Sequence, residues 1–243
     1  MIRSPHSRFR ALAVLCAISA LGAVAACTGA DSADRSGQTD RASALLADAK
    51  KTLDATDSVH FTLTTADVPD GSATLVGGEG SAVRPDKFKG DLKVTFASSV
   101  ATVKVVSVDG KFYAKLPITP GYSEVDPAQF GVGDPGKYMQ PEGGVSTLLV
   151  KATNARLGKK SRVNGEVVQE VHATIPGAVV KDLLTSADST KPVTATFSIV
   201  EGSNELRKAL LKGPFFDKGV DSTLTIVLDR YGEKVDIRAP KVG

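Results

Sequence analysis

DKFKGDLKVTF, residues 86–96, is the stretch whose reading decides the fold class. Phe88, Leu92, Val94 and Phe96 share one parity; Lys87, Lys89, Asp91, Lys93 and Thr95 share the other. Residues two apart on a helix point to different sides, whereas on a strand they share a face. Apolar and charged residues in strict alternation therefore mark a strand that buries one face and wets the other, the habit of antiparallel sheets.

The period of two extends both ways from this strand. Val100 to Val108 and Lys111 to Leu116 continue it, joined by Asp109-Gly110, a favoured two-residue hairpin turn. Ala101, Val103, Val105, Phe112 and Ala114 fall on the inward side. Upstream, Val59, Phe61 and Leu63 alternate with His60, Thr62 and Thr64, and Pro69-Asp70-Gly71 turns into a strand over 73–83. Downstream, strand patterns cover 161–174 around an Asn164-Gly165 turn, then 192–200, 205–211, 222–229 and, beyond Tyr231-Gly232, 234–238. This predicts about ten short strands, mostly paired with their sequence neighbours, in one sheet that is apolar on one side.

Three stretches switch to helical spacing. Leu45, Leu46, Ala49 and Leu53 predict an amphipathic helix over 42–55; Val145, Leu148, Leu149 and Ala152 a second; Val179, Val180, Leu183 and Leu184 a third, starting at Pro176. Between strands and second helix, residues 117–144 hold prolines 117, 120, 127, 135 and 141 and read as a long connection, of the kind that forms lids or entrances. The architecture implied is α+β: a curved antiparallel sheet with about three amphipathic helices on its concave apolar face, enclosing a hydrophobic cavity. Phe88, Leu92, Val94, Phe96, Val103 and Val105 from the strands, with Leu148, Leu149, Val180 and Leu184 from the helices, are the expected cavity wall. Apolar pockets of this kind take small apolar ligands.

The N-terminus has a different logic. Residues 1–10 carry Arg3, Arg8 and Arg10, residues 11–26 are almost wholly apolar, and the run ends at Val24-Ala25-Ala26-Cys27. That is the build of an export signal over 1–26, too short to span a bilayer comfortably. Its end resembles the bacterial lipobox, which makes Cys27 the expected lipidation site, the first residue of the mature chain carrying diacylglycerol on its thiol. Cys16 leaves with the signal, so Cys27 has no disulfide partner, and a redox pair or a cysteine-rich zinc site is excluded. Residues 27–41 show no apolar periodicity and read as an acylated cysteine followed by a flexible tether of about 45 Å at full stretch. Residues 42–243 then form a single domain.

Composition excludes other classes. The chain has 243 residues, 42% of them apolar, enough for a sizeable core. Its formal charge of +3 is carried by the arginines of the leader, so the rest has no basic footprint for nucleic acid. Aromatic residues make up 5% and tryptophan is absent. His60 and His172 lie opposite in parity to their apolar neighbours and face solvent; no HExxH or GxSxG pattern occurs, and Gly77-Gly78-Glu79-Gly80 lacks the lysine of a phosphate loop and reads as a bulged strand. No enzyme, no cofactor and no metal is expected. A lipid-binding carrier leads; an adhesin or scaffold with a purely structural core, and an enzyme whose site the spacing does not reveal, stay open as alternatives.

Several short motifs occur in a telling order: the lipobox at Cys27, Asp57-Ser58-Val59-His60-Phe61, Gly90-Asp91-Leu92-Lys93-Val94-Thr95-Phe96, residues 106–114, Asp126-Pro127-Ala128-Gln129 and Tyr231-Gly232-Glu233-Lys234-Val235. In this the chain resembles the actinobacterial LppX/LprAFG lipoprotein family over nearly its whole mature length. The resemblance implies a half-barrel sheet enclosing a pocket for acyl chains of triacylated glycolipids, lipoglycans or triacylglycerol, with Leu92 matching a pocket-wall position. It implies a monomeric carrier anchored to the outer face of the cell membrane, extending to the cell wall or surface, supplied by a membrane lipid exporter. Residues 117–144 depart from the family pattern.

Overall fold

The computed structural model describes residues 29–69, 74–96, 99–130 and 132–243. The expected export signal, Cys27 and the side chain of Phe96 lie outside the described residues. An N-terminal helix α1 (Gly29–Ala55) leads into five strands, β1 (Ser58–Ala66), β2 (Thr74–Val83), β3 (Lys87–Phe96), β4 (Ser99–Val108) and β5 (Lys111–Lys115), and a two-residue β6 (Ser123–Glu124). Two short 3-10 turns (Pro127–Phe130, Pro135–Met139) and helix α2 (Thr147–Lys151) carry the chain to β7 (Thr153–Val163) and β8 (Glu166–Ile175). Helix α3 (Gly177–Lys181), β9 (Val193–Val200), β10 (Leu206–Asp217) and β11 (Val220–Asp229) complete it.

The strands form one open sheet in the order β6-β5-β4-β3-β2-β1-β11-β10-β9-β8-β7, antiparallel throughout. Two meanders, one built outward from β1 and one returning inward from β7, meet where β1 pairs with β11, His60 opposite Asp229 through Ala66 opposite Thr223. One apolar face gathers the core. Ala42, Leu46, Ala49 and Leu53, spaced along one side of α1, bury against it with Leu149 of α2 and Val180 of α3. The helices thus lie on one side of the sheet, as the alternation in 86–96 requires: Phe88 is buried while its neighbour Lys89 is exposed.

Glycines shape this face. The 77–80 run sits beside a bulge between Leu75 and Gly77, and Gly80 pairs with Gly90 beneath the Phe61 ring. A Cβ on Gly80 would lie 2.3 Å from the Lys89 carbonyl oxygen and 2.9 Å from Phe61 Cε1; one on Gly78 would lie 2.8 Å from Leu92 Cδ2. The run therefore removes side chains where neighbouring strands and large apolar groups crowd together.

Four expectations need correction. Helix α1 begins at Gly29, before Ala42, so most of the segment read as a flexible tether is helical. Residues 36–41 are exposed, and without an apolar stripe only the preceding polarity was legible; lengthening an existing helix is far cheaper than nucleating one. Helices α2 and α3 are single turns, short because Ala152 and Asp182 close them almost at once. The strand pattern expected from residue 161 begins earlier, β7 starting already at Thr153; its bulges between Thr153 and Arg156 and between Leu157 and Lys160 break the alternation there. Residues 234–238 form no strand. Ile237, 2% exposed, packs instead with Val106, Val108 and Tyr113 on the opposite face of β4 and β5, so the sheet is apolar on both faces there. The unbroken Val105-Val106 pair is the trace of that double burial.

Because the obstruction at Gly80 is backbone from the adjacent strand, Gly80→Ala should lower unfolding free energy by about 2 kcal/mol in urea titration, as overpacking does. A variant of unchanged stability would mean that β1 to β3 tolerate wider spacing.

Candidate functional site

The concave face does not close on itself. Between the sheet, α1, α2 and the 132–149 segment lies an apolar cavity of about 180 Å³. Its floor is formed by β1 (Val59, Phe61, Leu63), β2 (Leu75, Ala82) and β3 (Phe88, Leu92), continued by Phe197, Leu206, Ala209, Leu211, Ile226 and Leu228 of the other meander. Its roof is Leu53 of α1, Val132, Pro135, Tyr138, Met139 and Val145 of the crossing segment, and Leu148 and Leu149 of α2. A space this size admits about a dozen water-sized spheres, yet the wall offers them almost no hydrogen-bonding partner, and such cavities stay dry and take apolar guests.

The aromatic part of the wall is a short stack. Phe61 lies against Phe88 with ring centroids 5.3 Å apart and an interplanar angle of 24°. Tyr138 meets Phe88 edge-on, at 6.3 Å and 82°. Tyr138 is the one cavity residue with a polar side-chain atom, and its hydroxyl donates to the Leu183 carbonyl at 3.1 Å, so it adds its ring to the cavity and directs its polarity elsewhere.

The roof is fastened at one end by charge. Arg84, in the β2–β3 connection, donates from Nε to the Thr56 carbonyl (2.8 Å), from Nη2 to the Leu53 carbonyl (3.0 Å) and from Nη1 to the Met139 carbonyl. Lys50 pairs with Asp54 and donates to the Pro141 carbonyl at 2.9 Å, while the Ser146 hydroxyl donates to Asp54 Oδ1 at 2.7 Å. Arg84 thereby satisfies carbonyls at the C-terminal end of α1, where the helix dipole favours positive charge, and Arg84 and Lys50 together tie the roof to that point. A third tie, the Ser107 hydroxyl donating to Asp134 Oδ1 at 2.8 Å, fixes the roof to β4.

Of the residues expected in the wall, Phe88, Leu92, Leu148 and Leu149 line the cavity. Val103, Val105 and Val180 are buried in the surrounding core, and Val94 and Leu184 pack against it, but none of these five lines the cavity. Sequence reading named none of the other lining residues as cavity wall; those on the strands and helical stretches lie on elements it foresaw, which leaves Val132, Pro135, Tyr138 and Met139 as the ones with no such signal. They come from a segment with no periodicity, whose only signal was its length. His60 Nδ1 lies 2.7 Å from Asp229 Oδ1 and His172 Nδ1 lies 3.0 Å from Thr196 Oγ1, both away from the cavity. Among the described residues no group of His, Cys, Asp and Glu is placed to hold a metal ion.

Burial, with Asp134 nearby, pushes the Tyr138 phenol well above its ordinary value, and burial does the same to Tyr231. Both hold their protons in the folded chain after an unfolded phenol would have lost its own. Their contribution to stability is thus complete below about pH 10 and is lost as pH climbs above it. Absorbance titration at alkaline pH should show a late-ionising class of tyrosine that merges with the rest on unfolding; a single transition at the ordinary value would contradict the burial of Tyr138.

Comparison with known proteins gives a consistent result. The sequence model of the LppX_LprAFG lipoprotein family matches residues 41–237. The lipoarabinomannan carrier protein LprG of Mycobacterium tuberculosis strain H37Rv is 28% identical over 244 residues, covering 99% of this chain and 100% of the relative; LprG of Mycobacterium bovis matches to the same extent. Among solved structures, LprF from Mycobacterium bovis superposes with a TM-score of 0.68 at 19% identity, over 84% of this chain and 98% of that one. LppX of Mycobacterium tuberculosis gives 0.60 at 18%, over 82% and 99%.

Proposed function

Since the chain belongs to the LppX_LprAFG lipoprotein family, we propose that it is a membrane-anchored carrier that holds the acyl chains of a glycolipid, lipoglycan or triacylglycerol in its cavity and moves them through the cell envelope. The observation that carries this reading is the cavity itself, roofed and floored by apolar side chains. The relatives named as lipoarabinomannan carriers support the lipid class. Each CH₂ that leaves water for such a site gains about 0.8 kcal/mol. Between bilayer and cavity the exchange is nearly balanced, so the protein needs no chemistry of its own, and direction comes from an exporter that supplies lipid and an acceptor that removes it.

Cys27 is the proposed anchor, its acyl chains holding the protein on the outer face of the cell membrane, and α1 with the residues before it is the proposed spacer. A helical 29–41 reaches about 20 Å, less than an extended tether would. One acyl chain alone binds reversibly; the two or three on a lipoprotein cysteine hold durably. The carrier is proposed to act as a monomer, without a cofactor.

Residues 28–243, purified without detergent and examined by native mass spectrometry, should carry or accept a diacyl or triacyl lipid, and no load under any lipid offered would sink the reading. Leu92→Trp, which enlarges a side chain on the cavity floor, should weaken lipid binding by about tenfold or more while the domain stays folded by circular dichroism. Cys27→Ser should shift the protein from the membrane to the soluble fraction; continued firm membrane residence would place the anchor elsewhere.

A further inference from the structure

The exposed large apolar side chains concentrate at one end of the sheet. Register sets Ala66 opposite Thr223, Thr74 opposite Thr95 and Phe96 opposite Ser99, so the ends of β1 and β3 and the starts of β2, β4 and β11 share that end. Lys115 lies level with Lys104, and the β5–β6 connection continues past it in the same direction. Val100, Leu116, Ile118 and Val220 stand there, 64%, 39%, 91% and 42% exposed. Val242 bridges to Tyr122 at the foot of that connection; Val150 of α2 is the remaining one among the described residues.

On β1 to β3 the cavity wall grows more exposed toward the same end. Its far-end residues Val59, Ala82 and Phe88 are buried, whereas Leu63, Leu75 and Leu92, nearer the rim, are half-buried. The 116–120 tip is also unusually ready to leave water. The Leu116 amide donates to Thr119 Oγ1 at 3.1 Å, the Thr119 amide donates to the Leu116 carbonyl at 3.1 Å, and Pro117 and Pro120 have no amide to satisfy. Unbonded backbone groups are what bars most loops from lipid, and of this loop's amides only that of Ile118 has no hydrogen-bond partner among the described residues. Beside it, Lys93 and Lys115 form no ion pair among the described residues and match anionic headgroups. Lone exposed apolar residues need no explanation; four at one rim, around a cavity mouth and on a tip with bonded amides, do.

We propose that the rim carrying Val100, Leu116 and Ile118 docks onto an anionic lipid bilayer, with Ile118 seated at the boundary of headgroups and acyl chains, so that the cavity mouth opens directly against the lipid it loads. The proposal rests on the carrier reading and adds the surface through which loading occurs. An acyl chain then passes from bilayer to cavity without crossing water, and the rim does this independently of the anchor at Cys27.

The chain has no tryptophan, so a single introduced indole reports its own surroundings. Among the described residues every buried core residue lies between Ala42 and Ile237, so residues 28–243 keep that core and lack acylation. On vesicles of phosphatidylcholine with phosphatidylglycerol, Ile118→Trp should shift its emission to the blue and be quenched by lipids brominated along the chain. Glu142→Trp, at the far end beside the Lys50 and Arg84 ties, should do neither. Leu116→Asp combined with Ile118→Asp should slow extraction of a labelled lipid from vesicles by about tenfold while leaving uptake of a dispersed, monomeric acyl probe unchanged. No blue shift from the Ile118→Trp variant, or equal extraction by the double variant, overturns the docking edge. Absence of monomer uptake by the unsubstituted chain would instead overturn the carrier reading, while the indole signal still decides docking.

Discussion

The antiparallel pairing of β1 with β11 is the constraint on which the rest of the molecule depends. It joins strands from opposite ends of the chain and makes one sheet of two meanders. Once that seam is set, β6 and β7 lie at opposite edges, separated by ten strand spacings, about 48 Å around the sheet. The chain between them has to cross the apolar face. Residues 132–149 are that crossing, and they become the roof of the cavity because the topology leaves them no other short route. An open sheet with one greasy face would be an aggregation hazard; the crossing, α1 and α3 cover it.

Why the cover leaves a hollow follows from side-chain volume. Gly78, Gly80 and Gly90 lie on the concave side of β2 and β3 and let Phe61 and Leu92 pack directly on the strands, so that these lining side chains sit low on the cavity floor. The roof cannot sink to compensate, since Arg84, Lys50 and Asp134 hold it to α1 and β4 through bonded carbonyls and hydroxyls. A cover held off a low floor leaves a cavity, and with no polar group turned inward it is suited to hydrocarbon.

The sequence made much of this legible where burial is one-sided and regular. Alternation in 86–96 put Phe88 and Leu92 on the face that forms the cavity floor, and helical spacing put Leu53, Leu148 and Leu149 opposite them. The same alternation could not separate wall from surrounding core: Val94, Val103 and Val105 obey the pattern equally and lie off the cavity, because parity fixes a face and says nothing of position along it. Tyr138 and Met139 were invisible because a crossing segment has no period. Ile237 was misread as a strand residue because alternation also suits an extended chain laid on the second face of a sheet. The half of α1 that precedes Ala42 has no apolar stripe, so nothing in its letters distinguishes helix from tether.

The central claim, that this cavity holds an acyl chain, is tested most directly by photo-crosslinking. An acyl lipid carrying a diazirine along its chain, loaded into the protein, irradiated and mapped by peptide mass spectrometry, should label residues within 86–96 and 132–149, the floor and the roof together. Labelling confined to surface loops, or absent despite loading, would contradict the account.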